Sequence, residues 1–236
     1  MKDNSIVVLV SASGEWQVVR NHYAPPVADS TPFGEWFESE IKGYPVLFVR
    51  GGWGKISAAA STQYAIDRLK PQLIINLGTC GGLEGQVSRG ELLLAEQTLV
   101  YDIIEQMSDP EDAIKAYAVD VDLSWLKPPY PLEVRRVRML SADRDILAED
   151  VARLITDYNA VAADWESGAI AWVAKQNQVR CLILRGVSDL VGVEGGEAYG
   201  NHAFFVAGTH EVMTRLINSL PGWFSCVEQR DFVVKK

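Results

Sequence analysis

Six short apolar runs, rich in β-branched residues, recur along this chain at residues 6–10, 46–49, 73–77, 92–94, 137–140 and 181–184. Their hydrophobicity is continuous rather than alternating, which is the pattern of strands covered on both faces. Segments with helical spacing fall between some of them. In residues 57–69, Ala58, Ala65, Ile66 and Leu69 share one face; residues 166–176 follow the same logic; residues 202–220 read as a long amphipathic helix ended by Pro221-Gly222. This alternation predicts an α/β fold, a largely parallel or mixed sheet between helical layers. Sheets of that kind bind ligands in the crevice at the carboxyl ends of their strands. The segments that directly follow the runs therefore carry the functional information.

Composition narrows the function classes. The 236 residues carry a net charge of −9, which argues against a nucleic-acid binder, since such a protein needs a basic face to displace phosphate counterions. No run approaches the ~20 apolar residues of a membrane helix. The run at residues 6–10 is too short for a secretory signal. Three scattered cysteines, Cys80, Cys181 and Cys226, fit a reducing compartment and show no zinc spacing. The histidines, His22, His202 and His210, also lack metal spacing. A cytoplasmic protein of one domain, residues 1–236, is expected, without metal or cofactor. The Asp- and Pro-rich stretch 108–130 reads as an excursion within that domain rather than a linker.

Four segments after the runs stand out. Arg50-Gly51-Gly52-Trp53-Gly54-Lys55 joins a strand to a helix whose N-terminus can receive an anion or a polar ligand group. Asn76-Leu77-Gly78-Thr79-Cys80-Gly81-Gly82 places glycines and a hydroxyl where the backbone can pass close to a ligand; Cys80, with no histidine near it in sequence, reads as a packed thiol. Asp164-Trp165-Glu166-Ser167-Gly168 sets two carboxylates at a helix start, where each could cap the helix or accept hydrogen bonds from a sugar diol. Arg185-Gly186-Val187-Ser188-Asp189 ends an apolar run on a carboxylate, which could serve chemistry or a turn.

Taken in this order, the four segments resemble the nucleoside phosphorylase and nucleosidase superfamily, most closely the methylthioadenosine/S-adenosylhomocysteine nucleosidases. The resemblance spans residues 6–220 and is strongest over 49–83 and 162–189. It implies a single three-layer α/β/α sandwich around a twisted mixed sheet, and a homo-oligomer, with a dimer favoured. It also implies that Asp189 is the general acid on the purine ring nitrogen, with Ser188 beside it, and that Glu166 holds the ribose hydroxyls. Trp165 stands where the family often has methionine. Asn76, Thr79 and Gly81 are implied to line the ribose and nucleophile region, and Ile146 to offer backbone hydrogen bonds to the base. Asp145 occupies the place of the family's purine-stacking phenylalanine, a departure. The glycine-rich residues 190–196 read as a lid.

These roles suit glycosidic cleavage. Positive charge builds on the sugar and negative charge on the leaving base; a carboxylate opposes the first and a proton donor relieves the second. A donor carboxyl must hold its proton, so a raised pKa is expected at Asp189. Water as nucleophile requires a base, and Glu15 is the candidate, one inserted residue being needed to align it; without that residue Trp16 would face the site. Asparagine at position 76, where phosphorylases of the superfamily carry arginine, favours hydrolysis. The expectation is thus a purine nucleosidase acting on a small nucleoside. Its rivals are a phosphate-dependent phosphorylase and a non-catalytic nucleoside-binding member of the fold.

Overall fold

The computed structural model describes residues 6–227. Its strands are β1 (Ile6–Val10), β2 (Asp29–Thr31), β3 (Gly34–Ile41), β4 (Tyr44–Arg50), β5 (Leu73–Leu83), β6 (Leu92–Val100), β7 (Val119–Asp120), β8 (Arg135–Ser141), β9 (Ala162–Asp164), β10 (Arg180–Gly192) and β11 (Gly195–Gly196). The helices are α1 (Ser13–Tyr23), α2 (Gly54–Leu69), α3 (Pro110–Tyr117), α4 (Val151–Tyr158), α5 (Ser167–Gln176) and α6 (His202–Ser225).

All strands belong to one mixed sheet. β1 runs parallel to both β4 and β5, and β5 runs parallel to β10. From β10 the pairing continues through β6, β8 and β9 and returns to β5. Five strands thus close into a ring, while β1, β4, β3 and β2 extend outward from β5. The expected α/β sandwich is present with this addition: half of its sheet curls shut.

The continuous apolar runs supply both faces of the sheet. Ile6, Val8 and Val10 pack with Trp16 and Val19 of α1 and with Val212, Leu216 and Leu220 of α6. The intervening Val7 and Leu9 pack with Ala58 and Ala65 of α2 and with Ile170 and Ala174 of α5. At about 25 cal/mol per Å² of apolar surface, two such interfaces are the main stabilising contribution.

Three expectations are corrected. The helix of residues 202–220 does not stop at Pro221; α6 runs through it to Ser225. An internal proline costs about 3 kcal/mol, but Trp223 and Phe224 beyond it are 0% and 1% exposed. Two buried aromatics at roughly 1.5–3 kcal/mol each offset that cost. The glycine-rich segment expected to follow the strand of residues 73–77 belongs to that strand: β5 continues to Leu83. A Cβ on Gly82 would sit 2.6 Å from Val87 and 2.7 Å from Val187, so glycine here answers crowding in the sheet rather than a turn. Likewise β10 continues past Asp189, with a register shift between Val187 and Asp189. Residues 190–196, read as a lid, form the hairpin of β10 and β11.

Candidate active site

The carboxyl ends of β1, β5, β9 and β10 open onto a cavity of about 490 Å³. Glu15 enters it from the first turn of α1. Its Oε1 accepts the backbone N–H of Thr79 at 2.6 Å and the Thr79 hydroxyl at 2.8 Å, and its Oε2 accepts the N–H of Ala12 at 3.3 Å. Gly78 makes this approach feasible, because a Cβ there would lie 3.1 Å from Glu15 Oε1. Trp16 turns the other way, packing on Phe37 at 5.6 Å between ring centroids and donating to Glu35 at 2.6 Å. Glu15, not Trp16, therefore faces the site. Burial raises its pKa; the Arg185 charge and the Thr79 donors act against that rise.

Beneath the cavity lies an ion pair that the sequence reading left without a role. Arg185, 1% exposed, donates from Nε to Asp164 Oδ2 at 2.6 Å and from a terminal nitrogen to Asn76 Oδ1 at 2.6 Å. Asn76 in turn donates to the Leu9 carbonyl at 2.9 Å. This corrects the expectation for Asn76: it is fully buried and does not line the cavity. The available sequence signal was an arginine closing an apolar run, since a buried charge must be paired.

The two carboxylates at the start of α5 divide their work. Asp164 caps the helix, accepting the N–H of Ser167 at 3.1 Å, and also accepts the Ser141 hydroxyl at 2.6 Å. Glu166 makes no cap; it borders the cavity and accepts the N–H of Gly54 at 3.0 Å. The anion at the N-terminus of α2 is thus one of the protein's own groups. Burial, then the Asp164 and Glu15 charges, push the Glu166 carboxyl up to about 8. Trp165 borders the same cavity and stacks on Trp53 at 4.7 Å.

Asp189 and Ser188 sit at the register shift of β10, and the Ser188 hydroxyl donates to Asp189 Oδ1 at 2.6 Å. Burial raises the Asp189 pKa, the Ser188 bond lowers it, and the Glu197 and Asp145 charges raise it further. Gly81, Thr79 and Ile146 also line the cavity. The Ile146 carbonyl accepts the Tyr199 hydroxyl at 2.7 Å, a contact not foreseen from sequence. Cys80 borders the site with its thiol pushed well up by burial, which keeps it unreactive. His202 and Phe205 reach the cavity rim from the first turn of α6. Among the described residues no group of three or more His, Cys, Asp or Glu could hold a metal ion, and no helix is long and apolar enough to cross a membrane.

Comparison with known proteins agrees with this architecture. The chain is 24% identical over 206 residues to the 5′-methylthioadenosine/S-adenosylhomocysteine nucleosidase of Bacillus thuringiensis, covering 82% of this chain and 89% of that one. Its fold matches crystal structures from Helicobacter pylori of the nucleosidase of that name, bound to butyl-thio-DADMe-Immucillin-A, and of futalosine hydrolase. In each case the TM-score is 0.77 at 17% identity, covering 92% of this chain and 97% of the other. The sequence profile of the phosphorylase superfamily matches residues 5–220, well over half of the chain, and the protein belongs to that superfamily.

Proposed function

We propose that this protein is a one-domain, cytoplasmic nucleosidase that hydrolyses the N-glycosidic bond of a purine nucleoside of the methylthioadenosine or adenosylhomocysteine type. The observation that carries the reading is that Glu15, Glu166 and Asp189 converge on one cavity, each with a raised affinity for protons. Asp189 delivers its proton to the purine ring as the bond from the anomeric carbon to the base nitrogen breaks. Glu166 accepts hydrogen bonds from the ribose hydroxyls, which favour its ionised form, and once its proton is released it opposes the positive charge developing on the sugar. Glu15, held by Thr79, takes the proton of the water that attacks the anomeric carbon. The products are free base and free sugar. Trp165, Thr79, Gly81, Ile146 and Ser188 contact the nucleoside.

Hydrolysis is favoured over phosphorolysis by charge. The buried cation, Arg185, is occupied by Asp164 and Asn76, and Arg144, the arginine on the cavity wall, is paired with Asp150. A phosphate dianion entering there finds both arginines already paired and carboxyls around it, and among the described residues of the wall no free cation to balance its charge. We further propose a dimer. Ile56, Ile104 and Met107 are 84%, 80% and 96% exposed, and Lys55 is joined to Asp102, which brings the segments bearing them together. A second copy would cover this apolar surface.

Release of free base from adenosine, inosine and methylthioadenosine, with and without phosphate, tests the function. Equal release without phosphate supports hydrolysis. Release only with phosphate makes the protein a phosphorylase, and binding without release makes it a non-catalytic member. Sedimentation of Met107→Asp against the wild type tests the dimer.

A further inference from the structure

Trp53 is 66% exposed, although it borders the cavity and its ring stacks on Trp165 with the planes 26° apart. Folding thus leaves a large apolar ring open at the mouth of the cavity. Flat indoles offer an electron-rich face, and other rings prefer to meet that face in offset or edge-on stacks. The position of the pair is also informative. Trp53 directly precedes Gly54, whose N–H holds Glu166, and Trp165 directly precedes Glu166 itself. Both indoles therefore flank the carboxylate assigned to the sugar hydroxyls, whereas the carboxyl assigned to the base stands on β10. A nucleoside seated by those two groups has one part unassigned, the substituent on its 5′ carbon.

We propose that Trp53 and Trp165 form a stacking shelf for a planar, aromatic 5′ substituent, so that this chain prefers 5′-aryl nucleosides to 5′-alkyl ones. The proposal rests on the nucleosidase reading for the seating of base and sugar. A short alkyl group gains only apolar contact on such a shelf, while an aryl group gains oriented ring stacking as well. Trp53 supplies the outer ring and is the specificity-determining residue of the pair; Trp165 backs it.

The test compares 5′-phenylthio-5′-deoxyadenosine, 5′-methylthioadenosine and adenosine as substrates of the wild type, Trp53→Ala and Trp53→Phe. In Trp53→Ala, kcat/KM for the phenylthio compound should fall roughly two- to tenfold further than for adenosine, the size expected of one aromatic contact. Trp53→Phe should restore most of the difference. An unchanged ratio overturns the shelf. A uniform fall for all three substrates, accompanied by a lower sedimenting mass, makes Trp53 a subunit contact and overturns it equally. Quenching of indole fluorescence by the phenylthio compound separates the two readings: saturable, Trp53-dependent quenching without base release keeps the shelf and removes the hydrolase, and its absence removes the shelf.

Discussion

The backbone N–H of Gly54 meets Glu166 Oε1 at 3.0 Å, joining residues 112 positions apart in the chain. Gly54 itself has φ of +82°, a conformation that glycine adopts without strain. The next residue anchors it. The Lys55 N–H donates to Asp143 Oδ1 at 2.7 Å, the Lys55 ammonium pairs with Asp102, and Asp102 Oδ2 accepts the Asp143 N–H at 2.9 Å. A closed polar circuit thus ties the segments after β4, β6 and β8 together and fixes the donor that orients Glu166.

Breaking that circuit should act on substrate hydroxyls. Lys55→Met is expected to raise KM for a ribonucleoside about tenfold, a value set by weakening one hydrogen bond to a charged group. The matching 2′-deoxynucleoside, which lacks one hydroxyl for Glu166, should suffer less. Equal losses for both in steady-state kinetics would assign Lys55 a general structural role.

Asp189→Asn should lower kcat by about 10²–10⁴-fold, the range typical of one general acid, while nucleoside binding persists. Glu15→Gln should lower it comparably. A p-nitrophenyl riboside distinguishes the two roles, since its leaving group departs without a proton. Turnover of that substrate should survive in Asp189→Asn and be lost in Glu15→Gln.

The ligand-free protein should lose stability as pH rises. Glu166 titrates at 4.5 when unperturbed and at about 8 in the fold. Below pH 4.5 its carboxyl is protonated in both folded and unfolded chains. Between 4.5 and about 8 the folded chain keeps a proton that the unfolded chain releases, so stability falls across that window. Glu15 and Asp189, also raised, contribute with the same sign. Thermal melts from pH 5 to pH 8 should show a shallower decline for Glu166→Gln than for the wild type; identical slopes would place the carboxyl pKa near its ordinary value.

Asn76→Leu should damage the fold before it damages binding. It leaves an Arg185 nitrogen and the Leu9 carbonyl without their partner, at about 1–3 kcal/mol for each buried group. Urea denaturation should show that loss, whereas KM at a permissive temperature should change little.

What could be read from the sequence followed the strength of local patterns. β1 is apolar throughout and was found with its observed ends, because a strand buried on both faces leaves no ambiguity. β3, Gly-Glu-Trp-Phe-Glu-Ser-Glu-Ile, was missed: near the sheet edge it buries only Phe37 and Ile41, so it lacks the continuous signature. At the site, Asp189, Glu166 and Thr79 sit in motifs dense enough to read. Glu15 was ambiguous because nothing local tells which of Glu15 and Trp16 faces inward; the packing of Trp16 on β3, an element not foreseen, settles the direction. The partners of Arg185 were hidden for a related reason. Asn76 and Asp164 lie 109 and 21 residues away, and the pairing of β5 with both β10 and β9 brings that constellation together.

The ring formed by β5, β10, β6, β8 and β9 has one more consequence. A strand within a closed circuit has neighbours on both sides and cannot peel away from an edge. The outer strands β3 and β2 have no such protection, for β2 ends the sheet. Amide protons of β5 should therefore exchange with solvent only through opening of the whole molecule, while those of β2 exchange first. Thr79, whose N–H holds Glu15, lies on β5, so the carboxylate proposed to activate water is anchored to the part of the protein expected to breathe least.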